Sequence, residues 1–361
     1  MQFQQIINSK ISKESDRPLM QKDAYAVSEH LQLYLHNNGR LQVFPIDYNS
    51  LLHYSHANSQ RDKSGKLTHW ENAVYDEAAQ FFLDKSLVKT FAILKNNNTP
   101  QFINNLLVKR IDFCEFGNSI PFRVEIEYQD SGLSDRFYIK MADASRIYGL
   151  ELEQLLSPNK TNFIYNNNTL VEEHIEGIPG DVFLKNQLPT IKSSIASLAK
   201  EFVQFNERCF ARLLGDMRSY NFVIDESASN GESQYRIRAL DFDQQSYEGR
   251  KNLYMPQFYK ENFVFIEMVL KTLSNEEIAR YQQEERASIR SRAKQSHRRL
   301  FELLNSMDKE ELSENYKVLI LRKELNEHFN TVAFSRCKTM GALVKRQLKQ
   351  VLSQDLAAIK V

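Results

Sequence analysis

Leu214-Gly-Asp-Met-Arg-Ser-Tyr-Asn-Phe-Val-Ile224 sets Asp216 and Asn221 five residues apart at the mouth of an apolar run. Seventeen residues beyond Ile224 comes Asp241-Phe-Asp243, which closes a second apolar run, Tyr235-Arg-Ile-Arg-Ala-Leu240. A polar turn from Asp225 to Ser233 separates the two runs, so the pattern predicts two short strands that deliver Asp216, Asn221 and Asp241 to one spot. That set suits phosphoryl transfer from a nucleotide. One carboxylate orients the attacking hydroxyl, and two oxygen ligands hold Mg2+ on the phosphates. Taken singly, Asp and Asn here are ordinary turn residues; the apolar hairpin and the acidic motif at its end give the spacing its meaning.

The arrangement resembles the catalytic and metal-binding segments of the protein-kinase-like superfamily, which includes the aminoglycoside and choline phosphotransferases. Its members usually carry His-Gly-Asp or His-Arg-Asp, an Asn five residues after the Asp, and then Asp-Phe-Gly or a variant. Here Leu214 stands where the leading His is usual, and the third motif is Asp241-Phe242-Asp243. By this resemblance Asp216 is the catalytic carboxylate, and Arg218 falls where a phosphate-contacting Lys is usual. Asn221 and Asp241 are the implied Mg2+ ligands. Asp243 is either a further metal group or a polar strand end.

The upstream segments suit a nucleotide site. Leu107 to Cys114 and Phe122 to Tyr128 alternate apolar and polar residues, the mark of half-buried strands. After the turn Gln129 to Asp135, a third strand, Arg136 to Met141, completes a meander like the kinase small lobe, and the resemblance implies that Lys140 contacts the α- and β-phosphates. The alternative is a solvated Lys at a strand end. The next segment, Ala142 to Leu156, is stopped by Ser157-Pro158 and predicts a helix ending there. Ile147, Tyr148 and Leu155 share a face that includes Glu151, and a carboxylate on an apolar face calls for a cation. Glu151 is therefore the expected partner of Lys140, with an exposed Glu as the alternative and Glu153 pointing elsewhere.

Asn162 to Tyr165 and Thr169-Leu-Val-Glu-Glu-His-Ile-Glu-Gly-Ile-Pro-Gly180 resemble the strand and hinge of small-molecule kinases. The resemblance implies that backbone groups of Glu173, His174 and Ile175 hydrogen-bond adenine. Gly177, Pro179 and Gly180 would end the strand. The turn Glu115 to Pro121 has only Gly117 to bring backbone close to phosphate, unlike a Gly-rich loop. That argues against an ordinary eukaryotic-type protein kinase.

With 42% hydrophobic and 26% charged residues and a net charge of +1, the chain has a globular composition and no global pull toward nucleic acid or anionic membrane. No apolar run has the roughly 18–20 residues of a membrane span, and Met1-Gln-Phe-Gln-Gln-Ile-Ile lacks a signal-peptide layout. Cys114, Cys209 and Cys337 form neither a disulfide framework nor a zinc pattern, so a cytoplasmic location is expected.

Residues 1–105 are expected to be a largely helical extension, its clearest element a helix through Trp70 to Leu94. His53 and His56 have zinc-compatible spacing, with His69 nearby, but neither Cys nor an accompanying Glu, so packing or surface roles are favoured. Residues 106–176 are the expected small lobe, 177–275 the large-lobe core, and 276–361 a helical C-terminal region. Within the last, one long helix is expected from Asn275 to about Ser306. Its basic run, Arg286 to Arg299, reads either as an anion contact or as a charge-balanced helix face, the second being favoured.

The expected fold is α+β, a two-lobed protein-kinase-like fold with an N-terminal extension and a helical C-terminal region. The expected activity is ATP- and Mg2+-dependent transfer of a phosphoryl group to a hydroxyl of a small molecule or protein. The rival readings are a kinase-fold AMP transferase and an inactive scaffold that binds protein partners through the terminal helical regions. Joint presence of Lys140, Asp216, Asn221 and Asp241 argues against the scaffold.

Overall fold

Phe122, Val124 and Ile126 are fully buried, while Arg123, Glu125 and Glu127 between them face the other way. This period of two makes the segment a strand with one core face. The structure is a computed structural model, and it describes residues 22, 24–62, 65–115, 119–191, 194–229 and 232–353.

In chain order the described elements begin with α1 (Glu29–Asn37), α2 (Tyr48–Leu51) and the hairpin β1 (His56–Arg61) and β2 (Leu67–Val74). Helices α3 (Glu77–Leu94) and α4 (Pro100–Asn104) lead into the meander β3 (Leu106–Phe113), β4 (Phe122–Tyr128) and β5 (Ser134–Met141). Helix α5 (Ala144–Leu156) precedes β6 (Phe163–Asn166), β7 (Thr169–Glu173) and β8 (Ile178–Pro179). Helices α6 (Gly180–Asn186) and α7 (Ile195–Arg212) come before the hairpin β9 (Phe222–Ser229) and β10 (Glu232–Ala239). The helical remainder is α8 (Phe263–Thr272), α9 (Asn275–Gln295), α10 (His297–Met307), α11 (Asn315–His328) and α12 (Met340–Ser353).

The chain divides into two compact units. One comprises the described residues up to 144 together with 161–174; the other has 145–160 and those from 175 onward. In the first, seven antiparallel strands run in the order β1-β2-β3-β4-β5-β7-β6. Val124, Ile126, Phe137, Ile139 and Val171 share a hydrophobic core with Leu83, Leu87, Phe91 and Leu94 of α3. Burying each such side chain is worth about 1.5–3 kcal/mol, which fixes the register, because a one-residue slip would turn the whole set to water.

In the second unit α7 is the central helix. Phe202 stacks on Phe265 of α8 at 4.9 Å, and Phe205 meets Phe222 of β9 edge-on at 5.1 Å. β8, β9 and β10 form a three-stranded antiparallel sheet. The architecture is α+β: an antiparallel sheet with a Lys-bearing meander, a helix, two more strands, a polar hairpin and a helical C-terminal region.

Several expectations are corrected. The segment from Trp70 to Leu94 is not one helix, since Leu67–Val74 is a strand and the helix starts only at Glu77, where Asp76 caps it by accepting from the Ala79 N–H. The described part of residues 1–105 is therefore not simply helical; it adds two strands to the sheet and belongs to the same unit as the meander. Strands β9 and β10 run into the stretch read as a turn, where Glu226 and Ser227 are exposed on the paired backbone. The expected helix from Asn275 breaks at Ser296 into α9 and α10.

Candidate active site

Helix α7 ends at Leu213, whose φ of 55° lies in the left-handed region although it is not glycine. Its last carbonyls need donors. Gln245 supplies them: its Nε2 donates to the carbonyls of Arg212 at 2.6 Å and Leu213 at 3.2 Å. Leu214 forms a backbone bridge with Gln245, Gly215 N donates to Gln244 O, and Ser246 N donates to Leu213 O. The segment after Asp243 thus braces the loop that leads to Asp216.

The loop then bends at Asp216, which also has a left-handed φ, 56°. Asp tolerates this conformation better than most residues, but it still marks local strain of a kind found at functional sites. The Asp216 N–H donates to Tyr259 Oη at 2.9 Å, and Tyr259 in turn donates to Leu253 O at 2.6 Å. Asn221 Nδ2 donates to both the Asp216 carbonyl (2.8 Å) and its Oδ2 (3.1 Å). Arg218 Nε donates to Asp216 Oδ1 at 2.8 Å, while its Nη1 reaches Glu261 at 2.7 Å. Burial pushes the Asp216 carboxyl up to about 7, with Arg218 pulling it down and the carboxylates of Asp241 and Glu248 pushing it further up.

Asn221 precedes β9 and Leu240 follows β10, and the Leu240 N–H donates to Asn221 O at 2.9 Å. The hairpin therefore brings Asp241 beside Asn221, as the spacing predicts. Sequence reasoning missed Arg146. This buried side chain of α5 donates from Nη1 to Asp241 Oδ1 and to Asp243 Oδ1, both at 2.8 Å. Asp241 remains one-third exposed, whereas Asp243 is buried. Asp243 also donates its N–H to Asp241 Oδ1 at 3.0 Å. Gly149 allows this approach, since a Cβ there would lie 2.9 Å from Phe242 Cβ and 3.2 Å from Gln245 Cβ. The available signal was an Arg inside a helix rich in apolar residues, followed three positions later by a glycine.

Among the described residues no group of three or more His, Cys, Asp or Glu side chains is arranged to hold a metal ion, the three histidines near the N-terminus included. Asn221 and Asp241 nevertheless fit the kind of Mg2+ site that is completed by phosphate and water, which takes only one or two protein oxygens. With both Nδ2 bonds of Asn221 committed to Asp216, the amide oxygen is turned to the opposite side.

In the sheet unit, Lys140 has an acidic partner that the sequence pattern does not name. Its Nζ lies 3.0 Å from Glu172 Oε2, both groups buried. The register explains this: Tyr138 faces Glu172 across β5 and β7, which puts Glu172 on the face of Lys140, two residues further along β5. Glu151 belongs to the other unit and is bound there by Arg299 Nη2 at 2.6 and 2.7 Å. Glu153 pairs with Arg212. Of the expected hinge residues, Glu173 N donates to Asn162 O and His174 N to Arg136 O, and Ile175 is buried in the other unit. Residues 116–118, including Gly117 of the expected phosphate turn, lie outside the described residues. Arg286, Arg292 and Arg299 of the basic run bind Glu207, Glu285 and Glu151, so these three serve internal pairing.

No family model matches the chain, and no curated protein matches it. Among solved structures it is similar to one described as the Rio2 kinase-ADP/Mg2+-phosphoaspartate complex from Chaetomium thermophilum. The two share 12% sequence identity with a TM-score of 0.35, over 69% of this chain and 82% of that one.

Proposed function

We propose that the chain is an ATP- and Mg2+-dependent phosphotransferase that moves the γ-phosphoryl group onto a hydroxyl of a small molecule or protein. The observation that carries this reading is the pair of hydrogen bonds from Asn221 Nδ2 to the Asp216 carbonyl and carboxylate, with Asp241 delivered beside Asn221 by the hairpin. Asp216, held by Arg218 and Asn221, orients the acceptor hydroxyl and takes its proton. Arg218 offsets charge on the moving phosphoryl group. Asn221 Oδ1 and the Asp241 carboxylate would hold Mg2+, which when bound neutralises phosphate charge. Lys140 of the sheet unit is the proposed phosphate-contacting cation. No described helix is long and apolar enough to cross a membrane, and Cys114, Cys209 and Cys337 are all free and buried. A cytoplasmic location is part of the proposal.

The test is a thermal-shift panel of nucleotides with and without Mg2+. A ligand at about 100 times its Kd stabilises by about 2.7 kcal/mol, and ATP with Mg2+ is expected to do so. No shift from any nucleotide would remove this reading. One observation favours a scaffold instead: Arg146 already supplies a cation to Asp241 and Asp243. Under that reading any nucleotide shift is independent of Mg2+, and no phosphorylated product forms.

A further inference from the structure

One face of the seven-stranded sheet is the hydrophobic core, and the other carries a cross-strand row of polar and aromatic side chains. Registered pairs join Asn72 to Asp112, Asp112 to Arg123, Arg123 to Tyr138 and Tyr138 to Glu172, so all five lie on this second face. Trp70, two residues before Asn72 on β2, shares it. The Arg123 guanidinium lies 4.2 Å from the Trp70 ring centroid, and the Trp70 ring lies 6.2 Å from that of Tyr138. Lys140 Nζ is 5.6 Å from the Tyr138 centroid, and Tyr138 Oη is 3.0 Å from His174 Nδ1. Cations and rings therefore alternate along the face.

The cations are held in place from below. Buried Asp112 accepts from Arg123 Nη2 at 2.6 Å and Nε at 3.0 Å and also from Gln60 of β1, while Glu172 holds Lys140. Trp70 is half-buried and comes from the added β1–β2 hairpin, outside the meander that bears Lys140. A rigid ring flanked by cations whose positions are fixed by carboxylates is complementary to a planar base that carries phosphates, because stacking needs a flat partner and a paired guanidinium or ammonium still has N–H groups to offer an anion.

We infer that Trp70, Arg123, Tyr138 and Lys140 form a binding platform for a nucleoside phosphate, with Trp70 as the stacking residue contributed by the extra hairpin. The identity of the ligand rests on the phosphotransferase reading. The role of Trp70 is separately testable, because it is the single tryptophan of the chain.

ATP and ADP are titrated in the presence of Mg2+ into the full chain. Binding is followed by tryptophan emission, excited where tyrosine does not absorb, and independently by calorimetry. The expected result is a saturable change in emission with the calorimetric Kd, a Kd about tenfold higher in Trp70→Leu, and a smaller rise in Trp70→Phe. Calorimetric binding without any change in emission, and with an unaltered Kd in Trp70→Leu, would overturn the inference while leaving the phosphotransferase reading intact. Tighter binding by Trp70→Leu would also overturn it, since the indole would then cover the face instead of building it. No heat with either nucleotide removes the reading and the inference together. If Trp70→Leu does not fold, the comparison of emission with calorimetry on the unaltered chain decides the matter.

Discussion

Asn221 holds Asp216 twice through a single nitrogen, once at the backbone carbonyl and once at the carboxylate. Two residues five apart are thereby locked as one unit, and the carboxylate's direction depends on the amide. Arg218 completes the clamp from the other carboxylate oxygen.

Asp216→Asn is expected to lower kcat by about 10²–10⁴-fold with little change in ATP affinity, because a group that orients the acceptor acts mainly in the transition state. Its melting temperature should stay near that of the parent, since Asn also tolerates a left-handed φ. Asp216→Ala should additionally destabilise, by about 1–2 kcal/mol for the backbone conformation alone. Melting and ATP turnover on both variants check this, and unchanged turnover in both would leave Asp216 a turn residue.

Removal of Arg146 leaves Asp241 and Asp243 as neighbouring carboxylates with a lost buried cation. Arg146→Met should cost about 3 kcal/mol, somewhat reduced by the partial exposure of Asp241. Adding Asp241→Asn and Asp243→Asn should recover much of that loss, because the uncompensated charges are then gone. Urea unfolding of the single and triple variants is the measurement; failure of the triple variant to recover would mean that Arg146 acts by packing.

Lys140 and Glu172 should show a coupling of about 1 kcal/mol or more in a double-mutant cycle of Lys140→Met and Glu172→Gln. Glu151→Gln should lower stability through Arg299, and ATP affinity should fall in Lys140→Met. Absence of any coupling between Lys140 and Glu172 would mean that this buried pair adds nothing to stability.

His328 stands edge-on to Phe210 at 5.1 Å and Phe329 at 4.6 Å. Burial lowers its pKa to about 4, with Lys251 and Arg286 adding like-charge repulsion. The folded state therefore binds fewer protons than the unfolded state between about pH 4 and 6.5. This contribution to stability is full above 6.5 and is lost as the pH falls toward 4. His328→Gln should flatten the melting temperature across that window, and an unchanged slope would assign the acid sensitivity to other groups.

Strand and helix positions around the meander were legible because alternation and a proline stop act locally. Asp216, Asn221 and Asp241 were legible because a hairpin translates sequence spacing into proximity. Arg146 and Glu172 were not, for they are chosen by packing and register. Periodicity placed Glu151 on an apolar face but could not say which cation lay above it, and Arg299 is 148 residues away. Trp70 was assigned to a helix because its segment runs straight into one; only pairing with β3 identifies the strand.

Gln245 terminates a helix and braces a loop with the same amide. One position therefore answers to two demands, and variation there cannot adjust catalysis and cooperativity separately. A substitution that frays the end of α7 would be felt as a displaced Asp216, so hydrogen exchange in Arg212 to Leu214 and turnover at the carboxylate should deteriorate in step. In a lineage of such chains, tolerated changes at this position would have to arrive with compensating ones in the loop it supports.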